Sequence, residues 1–141
     1  MISLVEKAAH GLGVEMVATA HAHGFSEVRL AHDAVFGTLP GEGARITDMA
    51  ARAGITKQSM GEVVRELVDL GICRMEPDPE DGRAKIVTYT DYGRQVTDAG
   101  FRHLQKMERR LARTFGEDYE TARRVLAWVI EEYPRSGGRS Q

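Results

Sequence analysis

Between Ile46 and Gly93 the chain changes its hydrophobic period from helical to extended and back, and few folds accept that order. Thr47 is placed to cap a short helix from Asp48 to about Ala53. Ala50 and Gly54 stand four apart: the small side chain suits a close helix crossing, and the glycine suits the left-handed residue that ends a helix. Ile55 is followed by a fresh cap, Thr56, and a second helix to Leu70. Met60, Val63 or Val64, Leu67 and Leu70 form its apolar stripe. Lys57, Gln58, Ser59, Gly61, Glu62 and Arg65 fall on the first turns and the opposite side, and Gly71 closes the helix. Ile72 to Met75 and Ala84 to Tyr89 read as two strands. The run Pro77-Asp78-Pro79-Glu80-Asp81-Gly82 between them is expected to form the tip, because prolines do not continue a ladder.

The flanking segments are helical. Residues 2–22 carry a narrow apolar stripe (Leu4 or Val5, Ala8, Leu12, Met16, Thr19 or Ala20), too thin to make a core unaided. Gly24-Phe25-Ser26 interrupts it, and Ser26 is expected to cap a second helix with Val28, Leu30 or Ala31, Val35, Phe36 and Leu39 inward. Pro40-Gly41-Glu42-Gly43 is a loop. Thr90 is expected to cap a long helix to about Phe115, and Gly116 separates it from a last helix, Glu117 to Tyr133, stopped by Pro134. The fold class is mainly α with a small β-hairpin: a winged helix-turn-helix lobe over 25–90, and a helical dimerisation stem from 1–24 and 91–135. Residues 136–141, rich in glycine and serine, read as a disordered tail.

The run Asp78-Pro79-x-Asp81-x-Arg83, followed by a strand ending in Thr90-x-x-Gly93, resembles the wing of the MarR family of bacterial regulators. The helices that begin Thr47-x-Met49-Ala50 and Thr56-Lys57-Gln58-Ser59-Met60-Gly61 are similar to that family too, in an actinobacterial-looking branch. The likeness is close over 25–95 and extends to the terminal helices by length and order. It implies a homodimer in which the N-terminal helix and the last two helices interlock, leaving two winged lobes for a pseudo-palindromic DNA site. Such proteins are usually repressors released by a small ligand, often phenolic, or by oxidation.

A helix entering the major groove presents its first exposed side chains to base edges. Here those are Lys57, Gln58, Ser59 and Glu62, after the cap Thr56. Gln58 can pair with adenine, Lys57 can reach guanine or a phosphate, and Glu62 can accept from cytosine. Arg65, further along, suits the backbone. On the wing, the planar guanidinium of Arg83 suits a narrow minor groove, with Asp81 orienting it or another arginine. Lys85 and Arg74 are candidate phosphate contacts. The charge balance opposes this reading: the 141 residues carry a net charge of -2. Acidic Glu76, Asp78 and Glu80 must therefore be paired or turned away. A winged-helix protein-interaction module that does not read DNA is the alternative which that acidity favours.

Other chemistry finds little support. His21, His23 and His32 lie near one another but lack the i, i+4 spacing that sets two ligands on one helical face, so no metal or other cofactor is expected. The resemblance places His32 and Phe36 at the cleft where family ligands, small aromatic or phenolic effectors, bind. Cys73 is the one cysteine, without a partner to resolve a sulfenic acid, and reads as strand packing. The basic run Arg102, Lys106, Arg109, Arg110 and Arg113 is matched by acids on the last helix, which suits neighbouring helices of a stem. No nucleophile–base pair or phosphate loop suggests an enzyme. No apolar run approaches the roughly 18 residues of a membrane span, and one cysteine fits a reducing compartment, so a cytoplasmic protein is expected.

Overall fold

A computed structural model describes residues 1–134 of the chain, so the expected tail at 136–141 lies outside the described residues. Helix α1 spans Ile2–Ala22, and a 3-10 turn at Leu30–His32 leads into α2, Asp33–Phe36. Helices α3 (Ile46–Ala53) and α4 (Lys57–Asp69) precede the strands β1 (Cys73–Pro77) and β2 (Lys85–Tyr89). Two long helices, α5 (Asp91–Phe115) and α6 (Glu117–Glu132), complete the described chain.

The α3–α4 corner forms for the reasons its residues supply. Gly54 adopts φ 68°, which turns the chain at the end of α3 without a Cβ penalty. The Thr56 hydroxyl oxygen accepts the Ser59 N–H at 3.1 Å, satisfying one of the free donors of the first turn of α4. Met60, Val64 and Leu67 then bury completely beside Met49, Ile72 and Val87. Each such side chain contributes roughly 1.5–3 kcal/mol of transfer free energy, and together they make the lobe's core.

The hairpin is antiparallel, pairing Cys73 with Tyr89 and Pro77 with Lys85. Pro77 is thus the last rung of the ladder and not part of the tip; it sits at the strand end, where a missing N–H is tolerated. The tip closes through Asp78 N–H to the Ala84 carbonyl at 2.9 Å. Ala44 exchanges two backbone hydrogen bonds with Val87, adding a one-residue third strand that ties β2 to the approach of α3. Thr90 caps α5 by accepting the Gly93 N–H at 3.0 Å.

Two expected caps are absent. Thr47 lies inside α3, whose N-cap is Arg45 with no side-chain cap bond. Ser26 starts no helix: the chain turns irregularly until Leu30, and only a short helical piece follows. The helical spacing of Val28, Val35 and Leu39 arises from separate turns that share one core. Gly61 also differs from expectation, being buried on α4.

The terminal helices carry most of the exposed apolar surface. No residue of α6 is buried, and Trp128 and Ile130 are 57% and 69% exposed. Phe101, Leu104, Leu111 and Phe115 on α5, and Ile2, Leu4, Val5 and Leu12 on α1, are likewise uncovered. Helices α1 and α5 meet through Met16 against Gly100 and through Glu15 beside His103 at 3.2 Å.

Candidate nucleic-acid interface

The first turn of α4 is exposed at Thr56, Lys57, Gln58 and Ser59, and Glu62 and Arg65 further along the helix are exposed too. The turn is partly organised: Thr56 Oγ1 lies 2.9 Å from the Ser59 hydroxyl, and the Gln58 amide donates to Glu62 at 3.4 Å. Among the described residues the charged ends of Lys57 and Arg65 have no hydrogen-bond or ion-pair partner, so both are free for an anionic surface.

On the wing, Arg83 and Lys85 are exposed, again without a side-chain partner among the described residues. Asp81 does not hold the Arg83 guanidinium. Its carboxylate instead accepts the Arg83 backbone N–H at 3.1 Å, an Asx turn that shapes the tip. The guanidinium is left to point where the turn sends it. Arg74 differs from Arg83 in being engaged, with Glu76 as its ion-pair partner and Thr88 Oγ1 at 3.3 Å.

Two of the three acids that threatened repulsion are paired, while the exposed carboxylate of Glu80 has no partner among the described residues. Glu76 is neutralised by Arg74. Asp78 is nearly buried and takes Arg45 at 2.6 and 2.8 Å, together with the Glu80 N–H at 2.9 Å. That N–H and the Arg45 guanidinium hold the Asp78 carboxyl below the usual carboxylate range. Glu66 on α4 is paired with Arg29. Neither Arg45 nor Arg29 was marked by the sequence, since their partners lie 33 and 37 residues away and no local spacing joins them.

A cavity of about 670 Å³ opens beneath the lobe, between α1, α2 and α5. Its wall includes Met16, Val17, Phe36, Tyr89 and Leu104, with Arg29 and Arg94 among its polar residues. Phe36 is part of that wall. His32 is not: it is 0% exposed, lies outside the cavity wall and faces α4. Its Nδ1 accepts the Arg29 N–H at 3.0 Å, and burial holds its pKa below the ordinary histidine value against the opposing pull of Glu66. His21 and His23 are each held by a backbone carbonyl, of Val28 at 2.7 Å and Thr19 at 2.8 Å. Among the described residues no three histidine, cysteine or acidic side chains gather as metal ligands would. Cys73 is buried, and desolvation pushes its thiol up to about 12, which leaves little thiolate at neutral pH.

A corner of two helices followed by an antiparallel hairpin defines a winged helix-turn-helix protein. Residues 41–85 match the sequence pattern of the MarR family. An HTH-type transcriptional regulator from Mycobacterium leprae is 31% identical over 108 residues, 76% of each chain. The chain belongs to the MarR family; it is a DNA-binding transcription regulator and not an enzyme. The fold is shared with CouR from Rhodococcus jostii bound to p-coumaroyl-CoA, with a TM-score of 0.69 at 18% identity, over 98% of this chain and 93% of that one. It is also shared with a variant of MepR from S. aureus bound to an oligodeoxyribonucleotide, with a TM-score of 0.56 at 16% identity, over 92% and 95% of the two chains. Among the described residues no helix is long and apolar enough to cross a membrane.

Proposed function

We propose that this chain acts in the cytoplasm as a homodimeric, effector-responsive repressor. In this reading 25–90 form the DNA-binding lobe, and 1–24 with 91–135 form the stem. One observation carries it: free cations stand on both the first turn of α4 and the wing, while Glu76, Asp78 and Glu66 are each tied to an arginine. The net charge is therefore a poor guide to the groove-facing side. Family membership supports DNA binding over the protein-interaction alternative that the acidity favoured. Lys57, Gln58, Ser59 and Glu62 read the major groove beside the cap Thr56. Arg83 enters the minor groove, and Arg65 and Lys85 meet phosphates. Arg74 is the weakest of these assignments, because reaching a phosphate requires it to leave Glu76.

The uncovered apolar sides of α1, α5 and α6 support pairing of two chains, since patches of that extent are rare on monomers. The pair should sediment as a dimer at micromolar concentration; a monomer there rejects the stem. Two lobes would then meet half-sites about 34–36 Å apart. The cavity beside Phe36 supports an effector with an aromatic or otherwise apolar body, such as the p-coumaroyl group of the ligand bound to CouR.

Selection of duplexes from a random pool tests the DNA reading, with enrichment of a pseudo-palindrome as the expected result. Affinity for it should fall with salt by about 0.9 log units per log of salt for each phosphate contacted. In the same selection Gln58→Ala should lose preference at one base position per half-site, and an unaltered profile rejects that base contact. A pool without enrichment rejects sequence-specific binding altogether.

A further inference from the structure

One arginine joins the cavity to the helix offered to DNA. Arg29 belongs to the cavity wall, and its Nε donates at 3.1 Å to Oε1 of Glu66, the same oxygen that receives one of its terminal nitrogens. Glu66 stands on α4, the helix whose first turn carries Lys57 and Gln58. Behind the pair lies His32, whose buried Nε2 is 3.4 Å from that same oxygen yet makes no hydrogen bond. Because Nδ1 already accepts from Arg29, a neutral His32 carries its proton on Nε2, the ring nitrogen on the side of Glu66. A single carboxylate oxygen thus holds Arg29 through two N–H groups, with the histidine N–H in reserve.

We propose that the Arg29–Glu66 pair is a latch between the cavity and the recognition helix, opened when an apolar ligand bearing a carboxylate draws Arg29 toward the cavity. This rests on the reading of the cavity as an effector site. The exchange is favourable on physical grounds. The Arg29 side chain is 59% exposed, so its pair with Glu66 is screened by solvent and weak on its own. A carboxylate carried into a mostly apolar cavity loses water and needs a cation more strongly than an exposed glutamate does. Asp33 and Asp98 on the same wall repel such a ligand, and Arg94 is the other cation there. Once Arg29 leaves, the Nε2–H of His32 is the donor left for Glu66. Turning that N–H onto the carboxylate and shortening the 3.4 Å separation draws α4 toward the 3-10 turn that carries His32 and changes the angle at which its first turn meets the groove.

The test uses the full chain, the duplex recovered by selection, and two matched probes: 2-naphthoate and its neutral counterpart 2-naphthamide. Calorimetry reads probe binding to the protein, and fluorescence anisotropy reads DNA affinity. In the wild type, saturating 2-naphthoate should weaken DNA binding about tenfold, and by linkage DNA should weaken 2-naphthoate binding by the same factor. The amide should leave DNA affinity unchanged. In Glu66→Gln, 2-naphthoate should bind the free protein more tightly while its effect on DNA falls to about twofold at most. Arg29→Lys, which keeps the charge but loses the two-donor grip, should retain part of the coupling. If 2-naphthoate binds Glu66→Gln and still weakens DNA binding tenfold, or if the amide acts as strongly as the acid, the latch is overturned and the effector site stands. If 2-naphthoate does not bind the wild type, both fall together.

Discussion

Gly93→Ala will cost the fold about 3 kcal/mol or more, the largest effect expected of any single methyl group in this chain. A Cβ built on Gly93 comes 2.0 Å from the carbonyl oxygen of Ile72 and 3.0 Å from its carbon. That oxygen cannot step aside, because it accepts the Thr90 N–H at 3.0 Å and lies 3.2 Å from the Thr90 hydroxyl. The Ile72 N–H is in turn bonded to Leu67 at 2.9 Å, so the end of α4, the start of β1 and the start of α5 converge on one peptide group. Relief requires α5 to tilt away from the lobe and lift Val96 out of the core. Urea titrations of wild type and variant at matched protein concentration measure the loss, and a shift worth less than about 1 kcal/mol contradicts the contact.

Arg83→Ala should act in the opposite manner, leaving stability within about 0.5 kcal/mol while lowering affinity for the selected duplex by about 1–3 kcal/mol. The fold loses nothing because the guanidinium has no protein partner among the described residues, and the Asx turn that shapes the tip uses only the backbone of Arg83. DNA would lose a cation placed in its most negative groove. Anisotropy titrations at fixed salt, with a parallel melt, separate the two quantities. Undiminished affinity removes the wing from recognition, and a lowered melting point means that the arginine had a structural partner in the assembled protein.

What was legible in the sequence was what local chemistry dictates. Thr56 and Thr90 mark their helices because a hydroxyl at a helix start has a near-unique use, and Gly54 and Gly71 mark ends because positive φ excludes most residues. Two short runs with strand-forming residues such as Ile86 and Val87, separated by a proline-rich interruption, located the hairpin. Thr47 and Ser26 failed because a hydroxyl in a suitable place is permitted, not required, to cap, and the tertiary core fixed those boundaries instead. The direction of His32 was not legible, since it sits on a turn of 3-10 helix that sets it against α4 and outside the cavity wall. The pairs Arg45–Asp78 and Arg29–Glu66 were illegible for a simpler reason: each is made between segments far apart in the chain.

The Arg45–Asp78 contact has a mechanical meaning. Arg45 is the residue from which α3 springs, and Asp78 is the residue from which the tip of the hairpin departs. With the Ala44–Val87 bridge beside it, the wing is bolted at its root to the support of the helical corner and has no joint of its own. Tilting the lobe must therefore swing groove reader and wing along one arc. Each half of an operator would then be seized or dropped in a single movement, with no stage at which the hairpin clings after the helix has let go.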